Sequence, residues 1–76
     1  MKADETLDCI GLYCPMPIVK TAAKLKLMKT GEVLEILADD KGIGQDMPAW
    51  CKITGNECLS VEEENGQYKA YVKKLT

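Results

Sequence analysis

The 76-residue chain contains no histidine, no phenylalanine and no arginine; all ten of its basic residues are lysine. Without histidine there is no Ser-His-Asp triad, no Cys-His pair and no imidazole ligand for a metal. Without arginine there is no planar fork for phosphate or guanine, and a net charge of −2 makes the chain a poor partner for nucleic acid. Aromatic residues are few: Tyr13, Tyr68, Tyr71 and Trp50, a thin supply for stacking bases. No apolar run approaches the ~20 residues of a membrane span. The opening stretch, MKADETLD, lacks the apolar core of a secretory signal. The expectation is a cytoplasmic chain whose four cysteines are reduced, and therefore reactive or buried rather than paired.

What remains is an ordinary globular composition, 46% hydrophobic and 29% charged, in a length that makes one small domain over residues 1–76. A chain of this size buries only about 60% of its unfolded surface, so its core is modest.

Strand and helix periods alternate along it. Residues 6–9 place Leu7 and Cys9 on one face and Asp8 on the other, which predicts a first strand. From Pro15 to Lys29 the period becomes helical: Ile18, Ala22, Leu25 and Met28 form one stripe with Val19 beside it, and Lys20 and Lys24 lie opposite. Gly31 is placed to stop that helix in a left-handed cap. Residues 33–38 read as a second strand with Leu34, Ile36 and Ala38 on one face. Residues 39–44 read as a loop. Met47, Trp50, Cys51 and Thr54 recur at helical spacing up to Gly55. Pro48 favours a helix start near Asp46 or Met47, and a start from Ile43 is the alternative. Leu59 and Val61 alternate with polar residues, Asn65-Gly66 supplies a type I′ turn, and Tyr68, Ala70 and Val72 alternate in return. The order β-α-β-α-β-β predicts an α+β, two-layer sandwich with two helices on one face of a four-stranded mixed sheet.

Cys14-Pro15-Met16-Pro17 is the segment that folding alone does not explain. Pro15 suits the first helical position and pushes Cys14 towards the extended conformation of an N-cap. Cysteine stabilises a cap poorly compared with Ser, Thr, Asp or Asn, so a thiol there is better explained by reactivity. The partial positive charge at a helix N-terminus favours thiolate. Pro15 and Pro17 have no N–H, which leaves the Met16 or Ile18 backbone amide to face the anion. A lone thiolate without histidine is unsuited to general acid–base hydrolysis. It is suited to attack on sulfur, in which one thiolate displaces another.

The motif Leu7-Asp8-x-x-Gly11-Leu12-x-Cys14-Pro15-x-Pro17, followed by a lysine-bearing helix, resembles the TusA/SirA-like family of sulfur carriers. The likeness continues through Ala38-Asp39-Asp40, Asp46-Met47-Pro48-Ala49-Trp50-Cys51 and Thr54-Gly55. The resemblance implies a β-α-β-α-β-β sandwich and a persulfide carried on Cys14. It implies sulfur arriving from a cysteine desulfurase or rhodanese-like donor and leaving to an acceptor protein in tRNA thiolation, molybdenum-cofactor or sulfur-oxidation pathways. Met16 stands at the variable position where tRNA-thiolation members carry glutamate. No cofactor, metal or direct nucleic-acid partner is expected, and nothing demands more than a monomer.

The other candidates are weaker. Cys9 reads as a buried small residue or, more sharply, as a resolving thiol for Cys14. Cys51 reads as buried and inert, and Cys58 as partly exposed on the face opposite Leu59 and Val61. The cysteine spacings do not suit a zinc site. Lys20 and Lys24 are candidates for docking an acidic partner, with a solvated helix face as the plain alternative. Asp39 and Asp40 are expected to make turn and capping bonds. Glu62, Glu63 and Glu64 read as a solubilising strand end, and Trp50 as a core residue first. The competing functions are a Cys9/Cys14 thiol–disulfide switch and a non-catalytic RNA-binding or regulatory module.

Overall fold

Strand β2, Val33–Ala38, forms where the sequence alternates, with Leu34, Ile36 and Ala38 fully buried. The computed structural model, which describes residues 3–13 and 15–75, pairs it in parallel with β1, Glu5–Cys9, and antiparallel with β4, Gln67–Lys73. Strand β3, Glu57–Glu64, closes the other edge against β4, giving the order β1-β2-β4-β3. The Asn65-Gly66 turn has positive φ at both residues, 53° and 80°, as a type I′ hairpin requires. Helices α1, Met16–Lys26, and α2, Ile43–Thr54, cover one face. The expected two-layer α+β sandwich is the observed one.

The core lies between the helices and that face. Leu25 and Met28 from the α1 side and Ile43, Met47 and Cys51 from α2 meet Cys9, Leu34, Ile36, Ala38, Ala70 and Val72. Each large aliphatic side chain buried there contributes on the order of 1.5–3 kcal/mol. The opposite face of the sheet is uncovered by helix. There Glu35 accepts hydrogen bonds from the Tyr71 hydroxyl at 2.7 Å and from Thr6 Oγ1 at 3.3 Å. These three residues stand in one cross-strand row.

Several local expectations are corrected. Helix α1 is shorter than residues 15–29, and Pro15, not Cys14, takes its N-cap. Its C-terminus ends before Gly31 because Leu27 and Met28 donate to Lys24 and Leu25 three residues back, tightening the last turn. The Lys74 ammonium then takes the Leu25 and Met28 carbonyls at 2.6 and 2.7 Å. Gly31 is left-handed (φ 94°) but serves the entry to β2, its N–H donating to the Lys74 carbonyl.

The buried line of α1 is Pro17, Thr21 and Leu25, so the stripe is rotated by one residue and Val19 is exposed. Helix α2 starts at Ile43, with Pro48 inside it. The carbonyl that Pro48 cannot satisfy belongs to Gly44, four residues earlier, which is exposed and can be solvated.

The last correction is a bulge in β3. Cys58 pairs with Val72 and Ser60 with Tyr71, neighbours on β4, so Leu59 is an extra residue. The bulge turns Cys58 to the same side as Val61, and both pack against the core. Cys58 therefore faces inward, not away from Val61.

Candidate functional site

The parallel pair β1 and β2 ends at Cys9 opposite Ala38, and the chain leaves β1 there for the loop that leads into α1. Loops at the carboxyl ends of parallel strands are the customary place for a site in such sheets. Cys14 itself lies outside the described residues; the residues on both sides of it define the setting.

Two carboxylates hold the loop's first half. Asp8 Oδ1 accepts the Ile10 N–H and Asp39 Oδ1 accepts the Gly11 N–H, each at 3.0 Å. The Leu12 N–H closes a turn on the Cys9 carbonyl at 3.1 Å. Gly11 sits at φ 85°, a conformation that costs a residue with a Cβ roughly 1–2 kcal/mol. Beyond Cys14, the Met16 N–H donates to the Tyr13 carbonyl at 2.8 Å and the Val19 N–H to the Pro15 carbonyl at 3.0 Å. The Met16 amide thus has a backbone acceptor of its own.

Several large apolar side chains are exposed along this segment. Tyr13 is 74% exposed, Val19 52%, and Ile10 and Met16 42% each. Met16 and Val19, three residues apart, share one side of α1. Ile10, Tyr13, Met16 and Val19 are thus four exposed large apolar residues within ten positions.

The remaining thiols are placed differently. Cys9 is fully buried, and burial pushes its pKa up against a weaker opposing pull from the Lys20 ammonium. Cys51 is buried in the last turns of α2, where burial first, and then the neighbouring Cys58, push its pKa up to about 12. Burial also raises Cys58, partly offset by its hydrogen bond with Cys51. All three therefore favour the neutral thiol over the nucleophilic thiolate.

The two candidate docking lysines differ as well. Lys20 is exposed. Lys24 is half-buried and paired with Glu5 at 3.1 Å. Asp40 caps a turn through the Gly42 N–H at 3.1 Å, and Glu63 accepts the Gly66 N–H of the hairpin at 3.2 Å. Trp50 is half-buried against the core. Among the described residues no cluster of three or more Cys, Asp or Glu side chains is arranged to hold a metal ion, and no helix is long and apolar enough to cross a membrane.

The link from Asp39 to Gly11 is the part of the site that sequence reasoning missed. Its signal is only a carboxylate directly after a strand. Knowing that it reaches the loop requires the register of β1 on β2.

The fold and this loop define a class: a small α+β sandwich whose first βα loop and helix entry carry a proline-framed cysteine. The comparisons give the family. A family model described as sulfurtransferase TusA matches residues 5–74, and the chain belongs to that family. YrkF of Bacillus subtilis is 51% identical over 74 residues, which is 97% of this chain and 40% of YrkF. YrkI of the same organism is 40% identical over 74 residues, 97% of this chain and 99% of YrkI. The sulfur carrier protein TusA of Allochromatium vinosum is 41% identical over 71 residues, 93% of each chain. The chain thus spans two fifths of some relatives and nearly the whole of others. The crystal structure of a SirA-like protein from Desulfitobacterium hafniense superposes with a TM-score of 0.79 at 23% identity, covering 95% of this chain and 99% of that one, which shows the shared fold.

Proposed function

We propose that this chain is a sulfur carrier in which Cys14 accepts a sulfane sulfur as a persulfide and hands it to an acceptor protein. In loading, the Cys14 thiolate attacks the outer sulfur of a donor persulfide. A new S–S bond forms at Cys14, the donor's S–S bond breaks, and the donor cysteine leaves as thiolate, so no external oxidant or reductant is consumed. In delivery the acceptor's nucleophile attacks the outer sulfur and the Cys14 thiolate departs. The Ile18 N–H and the helix N-terminus favour that thiolate as attacking and leaving group. Pro15 and Pro17 fix the helix entry. The donor is a cysteine desulfurase or rhodanese-like protein, and tRNA thiolation, molybdenum-cofactor assembly and other sulfur trafficking are the candidate destinations. Work of this kind belongs to a single cytoplasmic domain acting as one component of a sulfurtransferase relay.

The observation that carries the reading is the contrast among thiols. Cys9 and Cys51 are buried and Cys58 half-buried, all with raised pKa values, whereas exposed Tyr13 and Met16 lie on either side of the motif cysteine in sequence. Ile10, Tyr13, Met16 and Val19 supply an apolar contact for donor and acceptor, with the exposed Lys20 beside them to attract acidic groups. A buried Cys9 favours the carrier over a Cys9/Cys14 switch, because a resolving thiol must ionise and reach its partner. The open sheet face gives RNA little to stack on: Asp8, Glu35 and Glu62 are interleaved there with Lys69 and Lys73, and Tyr71 is buried with its hydroxyl bonded to Glu35. The test is sulfur loading of wild type and Cys14→Ser by a cysteine desulfurase with cysteine, read by intact mass. A gain confined to wild type supports the carrier, and its absence overturns it.

A further inference from the structure

We infer that Asp39 is a positioning residue for the sulfur-bearing loop, an inference that rests on the carrier reading of Cys14. The β1–β2 ladder ends at the Cys9–Ala38 pair. Continued by one residue, it would bring Ile10 alongside Asp39. The chain instead turns, with Leu12 bonded back to Cys9 and Gly11 left-handed. In that turn the Gly11 N–H donates to the Asp39 carboxylate at 3.0 Å. Asp39 thus does with a side chain what the ladder no longer does with its backbone. It ties the β1–α1 loop, three residues before Cys14, to the most buried strand of the sheet.

The second half of the loop is anchored independently, by Met16 on Tyr13 and Val19 on Pro15. Asp8 holds Ile10 only within its own turn, two residues away. The Gly11 bond to Asp39, by contrast, reaches across to the residue that follows β2. Asp39 is exposed, and its removal leaves no buried group unpaired, so the fold tolerates the change. What is lost is the fixed approach of the loop. A nucleophile must be held close to its line of attack, and small displacements cost large factors in rate.

Asp39→Ala and Asp39→Asn decide the matter, each compared with wild type and Cys14→Ser in the full chain. Three quantities are followed: thermal unfolding, exchange of the Gly11 amide by NMR, and the rate of sulfur loading from a cysteine desulfurase with cysteine. In Asp39→Ala the Gly11 amide is expected to exchange about tenfold faster, with core amides and the melting temperature near wild type. Loading is expected to slow by about tenfold or more while reaching the same final extent. Asp39→Asn keeps an oxygen acceptor and is expected to restore both. Wild-type rates in Asp39→Ala overturn the inference. So does Asp39→Asn as slow as Asp39→Ala, because that result assigns the effect to charge rather than to the bond. A wild type that takes up no sulfur overturns the carrier reading itself, and is distinguished from the other outcomes by the Gly11 exchange, which needs no donor.

Discussion

Cys51 and Cys58 face one another between the end of α2 and the start of β3, and each is held as a neutral thiol by burial there. The bulge at Leu59 brings them together by turning Cys58 inward. The pairing matters for function because a protein that handles reactive sulfur must keep its other thiols from competing. Three of the four cysteines are set apart by packing rather than by a redox partner.

Thiol labelling should reproduce that division. At pH 8, iodoacetamide should modify Cys14 rapidly and leave Cys9, Cys51 and Cys58 intact until denaturant is added, as peptide mapping by mass spectrometry would show. Labelling of Cys51 as fast as Cys14 in the folded protein would contradict the buried placement.

The same pair predicts the alkaline limit of stability. Cys51 is raised from 9.0 to about 12 in the folded state, so above pH 9 the unfolded chain releases a proton that the folded chain retains. Its contribution is fully present below pH 9 and is lost as pH rises towards 12, at a limiting slope of about 1.4 kcal/mol per pH unit for one proton. Urea unfolding from pH 8 to 11 should show this fall in wild type and a shallower one in Cys51→Ala.

Lys74 offers a test that separates stability from chemistry. Its ammonium takes the Leu25 and Met28 carbonyls at the end of α1 remote from Cys14. Lys74→Met should cost about 1–2 kcal/mol, from lost charge-assisted bonds at a helix C-terminus. Sulfur loading at a temperature where the variant is folded should be unchanged.

Leu34→Ala probes the core directly. Leu34 is fully buried on β2 within the core, and truncation should cost about 2–5 kcal/mol by chemical denaturation. A loss below 1 kcal/mol would mean that the sheet and helix layers close over the cavity.

Much of this architecture is legible in the amino-acid order because local and global signals agree. Alternation in β2 and the Asn65-Gly66 turn report strand faces and a hairpin without reference to any distant residue. The misreadings arise where a distant partner decides. α1 stops early because its last carbonyls are taken within the helix and by Lys74, some fifty residues on. α2 runs through Pro48 because exposed Gly44 tolerates the missing bond. The Leu59 bulge inverts the side on which Cys58 lies, and only the pairing with β4 reveals it. For the site, the Cys-Pro-Met-Pro segment suggests a reactive thiol from local conformational preference alone. Its tie to Asp39 depends on parallel strand register, which no short-range pattern encodes.

The central claim is that Cys14 is the sulfur-carrying thiol. Its most direct test is intact mass spectrometry under non-reducing conditions, after incubating reduced protein with a cysteine desulfurase and cysteine. Wild type should gain one sulfur atom, removed by reductant and absent in Cys14→Ser, with Cys9→Ser behaving as wild type. A gain that persists in Cys14→Ser, or a loss of two hydrogens abolished by either Cys9→Ser or Cys14→Ser, would contradict it.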